Sequence, residues 1–127
     1  MSEPIVFISH FRVKEGGLDT IRTFAREVFE RMEADKPRTL LFRAYVGEQG
    51  DRMSFIHVFA DADALDSHFE GADERSRMAY EAIEPDGWEI YGTPSQPALD
   101  GMRAQAAAAG VGLRHEPEPM GGFVRLG

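Results

Sequence analysis

Along the first 92 residues the period of the apolar pattern changes several times, and the order of these changes restricts the fold more than any other feature. Alternation with β-branched and aromatic residues predicts four strands, at 5–13, 39–46, 53–60 and from Trp88. Spacings of three and four residues predict helices at 18–34, from Ala62, and at 74–83. The resulting order, β-α-β-β-α-β, is that of a ferredoxin-like split βαβ, an α+β fold.

Residues that start and stop helices mark the boundaries of these elements. Pro37 ends the first helix, and Asp61 is a suitable N-cap for the helix that starts at Ala62. The segment "EGAD", at 70–73, can interrupt that helix before the piece at 74–83. Pro85-Asp86-Gly87 is typical of a turn that precedes the strand from Trp88.

The residues after 93 differ in character and predict a C-terminal extension. We therefore expect a domain at 1–93 and an extension at 94–127 that packs on the same domain or on a dimer partner. "TPSQP" resembles a linker, and the alanine-rich stretch at 99–109 predicts a helix that Gly110 ends. Two further short strands are predicted within "VGLRHE" and "GFVRL".

Composition excludes several classes of function. The net charge is −8 and the sequence pI is about 4.9, which argues against nucleic acid or an anionic membrane as the partner. The chain has no cysteine, so disulfides, thiolate catalysis and cysteine-bound metals are excluded. The N-terminus lacks the pattern of a signal peptide, and no apolar run is long enough to span a membrane. We therefore expect a cytoplasmic protein.

Two central strands are apolar on both faces, which predicts that both faces of the sheet are covered. The faces of the strand at 39–46 hold Leu40, Phe42, Ala44 and Val46 on one side, and Leu41 and Tyr45 on the other. The strand at 53–60 has Ile56 and Val58 on one face, and Met53, Phe55 and Phe59 on the other. Helices cover only one face of a ferredoxin-like sheet, so either a second copy or the C-terminal extension must cover the other. We expect a homodimer that packs sheet to sheet, with the extension as a clasp.

The segment "SFIHVFADADALDSHFE", at 54–70, resembles the antibiotic biosynthesis monooxygenase family. That family has a glutamate and a tryptophan two residues apart on a strand, then an acidic helix start, an alanine-leucine pair and a histidine-hydrophobic pair. Here His57 takes the glutamate position and Phe59 the tryptophan position. Ala64-Leu65 and His68-Phe69 match the two pairs, and the resemblance covers about residues 4–92.

The resemblance implies a dimeric α/β barrel with a pocket in each protomer, between the sheet and its helices. It also implies a cofactor-independent monooxygenase that oxidises a small aromatic substrate, such as a phenol, quinol or polyketide-like compound, with molecular oxygen. A haem-degrading relative would require an asparagine near Ser9, a tryptophan near His68 and a histidine near Met78, and none is present. We therefore expect no cofactor. A non-catalytic dimeric binding or structural module and an isomerase or decarboxylase remain alternatives.

His68 is the candidate catalytic residue, because it lies three residues after Leu65 on the inward edge of its helix. An ordinary imidazole titrates near pH 6.5 and can accept a proton at neutral pH. The alternative is a purely structural histidine at the helix edge. The predicted substrate-binding residues are Phe7, Ser9, Phe11, Ile56, Tyr80 and Trp88, and ordinary core packing is the alternative for the two last residues.

His57 has a different predicted environment. If Ile56 and Val58 lie under the helices, His57 points the other way together with Phe55 and Phe59. His10 would then lie near His57 at the subunit interface. We therefore assign His10, Phe55, His57 and Phe59 to a dimer interface. Two histidines without a well-spaced carboxylate are a weak ligand set, so we predict no metal site.

Overall fold

The computed structural model describes residues 3–125, which form one five-stranded sheet and four helices. In chain order the elements are β1 (Ile5–Val13), α1 (Leu18–Asp35), β2 (Thr39–Val46), β3 (Arg52–Phe59), α2 (Ala62–Phe69), α3 (Ala72–Ala79), β4 (Ile83–Tyr91), α4 (Gln96–Ala109) and β5 (Leu113–Glu116). The sheet order is β2-β3-β1-β4-β5, with β4 and β5 parallel and the other neighbours antiparallel. The predicted α+β ferredoxin-like fold is confirmed.

The second helical region is divided as the sequence indicates. The carboxylate of Asp61 accepts a hydrogen bond of 3.0 Å from the Ala64 amide and so caps α2. Gly71 then adopts a left-handed conformation with φ of 77°, which separates α2 from α3. The predicted helical piece at 74–83 is wrong at both ends, because α3 spans Ala72–Ala79 and β4 already begins at Ile83.

The predicted turn at Pro85-Asp86-Gly87 is wrong, since these residues lie inside β4. The register of β1 with β4 pairs His10 with Gly87 and Phe11 with Pro85, so Asp86 is the extra residue of a β-bulge. Gly87 has a φ of 128°, which residues with a Cβ rarely adopt. The bulge uses the turn-forming residues without ending the strand.

The extension begins its helix earlier than predicted. The Ser95 hydroxyl accepts a hydrogen bond from the Ala98 amide and caps α4, and Pro97 lies in the first turn. The predicted linker "TPSQP" is therefore partly the start of a helix. Gly110 ends α4 in a left-handed conformation, as expected. The strand predicted in "VGLRHE" is β5, whereas residues 122–125 of "GFVRL" form no strand and Leu126 lies outside the described residues.

The helices bury one face of the sheet. Leu99, Met102 and Ala106 of α4 belong to the same core as Phe7 and Ile90 of the central strands. The other face, here called the open face, presents half-buried apolar side chains. They are Val6, Ile8, Leu41, Ile56 and Val58. Between residues 3 and 125, no helix is long and apolar enough to cross a membrane.

A glycine substitution tests the close contact at the start of α1. A Cβ on Gly17 would lie 2.5 Å from the Ala82 carbonyl oxygen, so Gly17→Ala is expected to lower the free energy of unfolding by about 1–3 kcal/mol. Gly101, inside α4, has open space at its Cβ position, so Gly101→Ala is expected to raise that free energy by roughly 0.5–1 kcal/mol. Chemical denaturation measures both, and a stabilising Gly17→Ala would contradict the described packing.

Candidate active site

A cavity of about 430 Å³ lies between the sheet and the helices. Its walls are mainly aromatic and aliphatic, and all four helices contribute to them. Among the lining residues are Phe7, Ser9 and Phe11 from β1, Phe24 and Val28 from α1, Phe42 from β2, Phe55 and His57 from β3, His68 and Phe69 from α2, Arg75, Ser76 and Tyr80 from α3 and its C-terminal end, Trp88 from β4, and Gly101, Met102 and Gln105 from α4.

The predicted orientation of β3 is wrong. Residues that lie opposite each other on antiparallel strands share a face, and the register pairs Phe7 with His57 and Ser9 with Phe55. Since β1 directs Phe7 and Ser9 into the cavity, β3 directs His57 and Phe55 there as well. Phe59, also on this face, is fully buried in the core. The dimer-interface assignment of these three β3 residues depended on the opposite orientation and is corrected.

His57 is held in a defined position by aromatic neighbours and one hydrogen bond. Its ring is stacked between Phe7 and Phe42, with centroid distances of 5.0 and 4.5 Å. Its Nδ1 lies 2.9 Å from the carbonyl oxygen of Phe7, on the neighbouring strand. Because a carbonyl only accepts, Nδ1 is the protonated nitrogen of this ring.

His68 lies beside His57, with 4.9 Å between the ring centroids and an angle of 70° between the ring planes. Phe42 and Phe59 contact the same imidazole at centroid distances of 5.3 and 5.1 Å. The Nδ1 atom of His68 is buried without a hydrogen-bond partner. The predicted catalytic residue therefore does border the cavity, but His57, which was assigned elsewhere, is its direct neighbour.

Burial makes both imidazoles resist protonation. Loss of solvation lowers the pKa of His57 to about 4, although the hydrogen bond to Phe7 opposes the change and Arg75 adds to it. Loss of solvation also lowers the pKa of His68 to about 2, with further contributions from His57, Arg75 and Lys36. Both rings are neutral at pH 7, and the backbone hydrogen bond leaves His57 as the more basic of the two.

Arg75 adds positive charge to the wall of the cavity. Its guanidinium donates hydrogen bonds to the carbonyl oxygens of His68, at 2.5 Å, and Glu70, at 2.8 Å, which are at the end of α2. Among the described residues, no carboxylate oxygen lies within 4.0 Å of its nitrogens. A positively charged guanidinium without a paired carboxylate can stabilise a negative charge that forms on a nearby ligand.

The predicted substrate-binding residues occupy both faces of the sheet. Phe7, Ser9, Phe11, Tyr80 and Trp88 line the cavity. Burial raises the pKa of Tyr80, against a hydrogen bond with Ser76 that lowers it, so its hydroxyl stays protonated at neutral pH. The role of these five cavity-lining residues in binding a substrate remains a prediction.

Ile56 is wrongly placed in the sequence prediction. It pairs with Ile8 and Arg43 on the open face, with the sheet between its side chain and the cavity. The β-branched residues of β3 were expected under the helices, but the aromatic residues and His57 fill that space instead.

His10 lies on the open face and is not close to His57, contrary to the prediction. Its Nε2 donates to Glu89 Oε2 at 2.5 Å, and its Nδ1 lies 2.8 Å from Ser54 Oγ. Tyr91 donates its hydroxyl proton to the other oxygen of Glu89, also at 2.5 Å. The hydrogen bonds from Tyr91 and His10 lower the pKa of Glu89. His10 thus belongs to a polar network in the middle of the open face.

Sequence reasoning assigned no residue to two parts of the site. The first is α4, whose Gly101, Met102 and Gln105 close one side of the cavity. A signal was present, because Leu99, Met102 and Ala106 follow helical spacing and require a surface to pack on. The second is Arg75, for which a charged segment without apolar periodicity gave no signal. Between residues 3 and 125, no group of three or more histidine and acidic side chains is arranged to hold a metal ion.

The sequence itself matches no protein-family model and no curated protein. Its fold is nevertheless similar to solved structures. MupZ from Pseudomonas fluorescens aligns with a TM-score of 0.71 at 18% identity, and the match covers 98% of this chain and 96% of that one. Because so little of this chain is left out, the match includes the C-terminal extension.

Two further structures connect the fold with the predicted family. A protein from Bacteroides thetaiotaomicron, provisionally named an antibiotic biosynthesis monooxygenase, aligns with a TM-score of 0.57 at 15% identity over 64% of this chain and 80% of that one. A protein from Chloroflexus aurantiacus with the same provisional name aligns with a TM-score of 0.57 at 12% identity over 69% and 90%. At these identities the likeness shows a shared fold.

The depressed basicity of the two imidazoles predicts a specific pH dependence of stability. In the unfolded chain each histidine titrates near 6.5, whereas the folded values are about 4 and about 2. The unfolded chain therefore binds more protons, and stability is expected to fall as the pH drops below 6.5, by up to about 1.4 kcal/mol per pH unit for each imidazole. The loss continues to about pH 4 for His57 and about pH 2 for His68.

Urea unfolding at pH 6.5, 5.8 and 5.0 measures this slope. His68→Phe removes one titrating group and is expected to reduce the slope by up to about 1.4 kcal/mol per pH unit. As a measurement on the unaltered chain, NMR titration should leave the ring resonances of His57 and His68 unchanged between pH 8 and 5. A ring that titrates near 6.5 would show that it is not sealed from water.

Proposed function

We propose that the protein is a cofactor-independent monooxygenase that oxidises a small phenol, quinol or polyketide-like aromatic compound with molecular oxygen. The observation that carries this proposal is the aromatic cavity of about 430 Å³ with two adjacent neutral imidazoles in its wall. A volume in this range suits a small molecule, since ligand pockets are typically roughly 300–1,000 Å³. Phe7, Phe11 and Trp88 provide ring faces for an aromatic ligand.

The chemistry requires an electron-rich anion of the substrate. His57, whose Nε2 carries no proton, is the proposed proton acceptor when the aromatic hydroxyl or an acidic ring position is deprotonated, and the neighbouring His68 donates a hydrogen bond to the oxygen that becomes negative. Such weakly basic imidazoles accept a proton only if the resulting charges are stabilised together. The new anion lies next to the imidazolium and near Arg75, and the protonated hydroxyl of Tyr80 and that of Ser9 can donate hydrogen bonds to it.

The anion then transfers electrons to oxygen without a flavin or a metal. For a substrate with an activated methylene group, the balanced reaction converts the CH₂ and O₂ to a carbonyl group and one water. One oxygen atom enters the substrate, and the two hydrogens of the methylene leave in the water. The apolar walls keep bulk water away from the intermediate, which limits side reactions.

Structural relatives support this class of reaction. Proteins provisionally named antibiotic biosynthesis monooxygenases share the fold at identities of 15% and 12%. Identities this low support the fold and leave the substrate to experiment.

Oxygen consumption with a panel of quinols and anthrones tests the proposal. We expect uptake above the uncatalysed rate with at least one compound, and a loss of about 100-fold or more in kcat/KM for His68→Ala. His115→Ala is the matched control, because His115 bonds the Gly92 carbonyl at the β5 edge and lies outside the cavity. Full activity of His68→Ala would refute the role of His68, and no uptake with any compound would refute the monooxygenase.

A non-catalytic binding module is the second candidate, and the low basicity of the imidazoles favours it. With pKa values of about 4 and about 2, neither ring is a strong base in the free protein. A binding module predicts that aromatic compounds raise the melting temperature without oxygen uptake or any change in the compound.

We also propose that the protein is a homodimer in which two open faces pack together. Val6, Ile8, Ile56 and Val58 form an apolar surface that α1–α4 leave uncovered, because all four helices pack on the other face. The network of His10 and Glu89 lies in the same surface and would be enclosed by the partner.

Sedimentation at micromolar concentration tests the dimer. Ile56→Glu places a charge in the apolar surface and is expected to produce monomers. Met78→Glu is the control, because Met78 is exposed on α3, on the side of the helices. A monomeric wild-type protein would refute the proposed dimer, as would an unchanged sedimentation coefficient of Ile56→Glu.

A further inference from the structure

We infer that His57 is the specificity-determining residue of the cavity, whose Nε2 accepts a hydrogen bond from the ligand and so selects hydroxyaromatic compounds over their ethers. This inference deepens the proposed function and rests on it in one respect, namely that the cavity binds a small aromatic molecule. It does not require that the ligand is oxidised.

The tautomer of His57 is fixed by the backbone. The carbonyl oxygen of Phe7 accepts a hydrogen bond from Nδ1 at 2.9 Å, so the proton of the neutral ring is on Nδ1. The pKa of about 4 keeps the ring neutral at pH 7. Nε2 therefore carries a lone pair and can only accept.

The direction of that lone pair is fixed as well. Phe7 and Phe42 stack on the two faces of the ring at interplanar angles of 25° and 23°, which prevents it from tilting. A 180° flip would place a carbon instead of Nδ1 against the Phe7 carbonyl and would lose this hydrogen bond. Both contacts come from strands on either side of β3, so the acceptor is held by the rigid part of the fold.

The Nε2 atom of His57 is free to meet a ligand. In the part of the chain from 3 to 125 it has no hydrogen-bond partner, yet it is not sealed. The buried side-chain atoms without a partner there are Thr39 Oγ1 and His68 Nδ1. Since His57 lines the cavity, its Nε2 reaches the cavity surface.

His68 supplies the complementary donor. Its Nδ1 is sealed without a partner, and a buried N–H without an acceptor is rare, which places the proton of this neutral ring on Nε2. The two imidazole centroids are 4.9 Å apart. One hydroxyl group can therefore donate to His57 and accept from His68, whereas an aryl ether can only accept and leaves His57 unpaired.

A matched pair of ligands tests the role of His57. Titration calorimetry under nitrogen would compare 1-naphthol with 1-methoxynaphthalene, which lacks the donor. We expect the wild type to prefer 1-naphthol by about tenfold or more, because a site with a buried acceptor discriminates against a ligand that leaves it unpaired. In His57→Phe, which keeps the stacking but has no acceptor, the preference is expected to fall to about onefold through weaker binding of 1-naphthol.

Two further variants and a measurement on the unaltered chain complete the test. His57→Gln retains a side-chain acceptor and is expected to recover part of the preference, while His115→Ala should keep all of it. In the wild type, ¹⁵N NMR should show a protonated Nδ1 and an unprotonated Nε2 for His57, and 1-naphthol but not its methyl ether should shift the Nε2 resonance. This measurement remains decisive if a His57 variant does not fold.

The outcomes separate this inference from the proposed function. Equal preference in the wild type and His57→Phe, or a proton on Nε2 of His57, would overturn the inference. If neither naphthalene binds, the inference fails, and oxygen uptake with other compounds still decides the monooxygenase. If 1-naphthol is preferred through His57 but no compound of the panel consumes oxygen, the inference holds and the monooxygenase does not.

Discussion

The hydrogen bond from His57 to the Phe7 carbonyl is the contact on which the site depends. It joins β1 and β3 inside the cavity, at 2.9 Å, and allows a polar ring to be buried among phenylalanines at a low energetic cost. Without this partner the Nδ1 proton would be an unsatisfied buried donor. With it, the ring becomes part of the aromatic wall, and its other nitrogen remains as a polar point on an apolar surface.

The cavity combines this polar point with walls from four strands and four helices. β1–β4 form the floor, α1–α3 form one side, and α4 of the extension closes another. The low polarity that results explains why the pKa values of both imidazoles are depressed. It also strengthens the effect of Arg75 on any negative charge in the cavity, since a charge acts more strongly where water is scarce. The packing of the helices therefore both encloses the cavity and depresses the pKa values of the two imidazoles.

Much of the fold and part of the site could be predicted from the sequence. The period of the apolar residues placed β1, α1, β2, β3 and α2, and the N-cap at Asp61 was recognisable because a short acidic side chain preceded a helical pattern. The side of β3 could not be predicted, because residues on both of its faces are apolar and alternation then carries no direction. The bulge at Asp86 was hidden for a related reason, since turn-forming residues also suit an irregular strand.

The sequence by itself determined the α+β class, the order of the elements and the presence of a histidine next to the Ala64-Leu65 stripe of α2. These features depend on local periodicity and on capping, which neighbouring residues decide. Only the tertiary structure decided that His57 faces inward, that it meets His68, and that α4 closes the cavity. Each of these depends on strand register or on packing between distant segments, and such contacts are set by the fold as a whole.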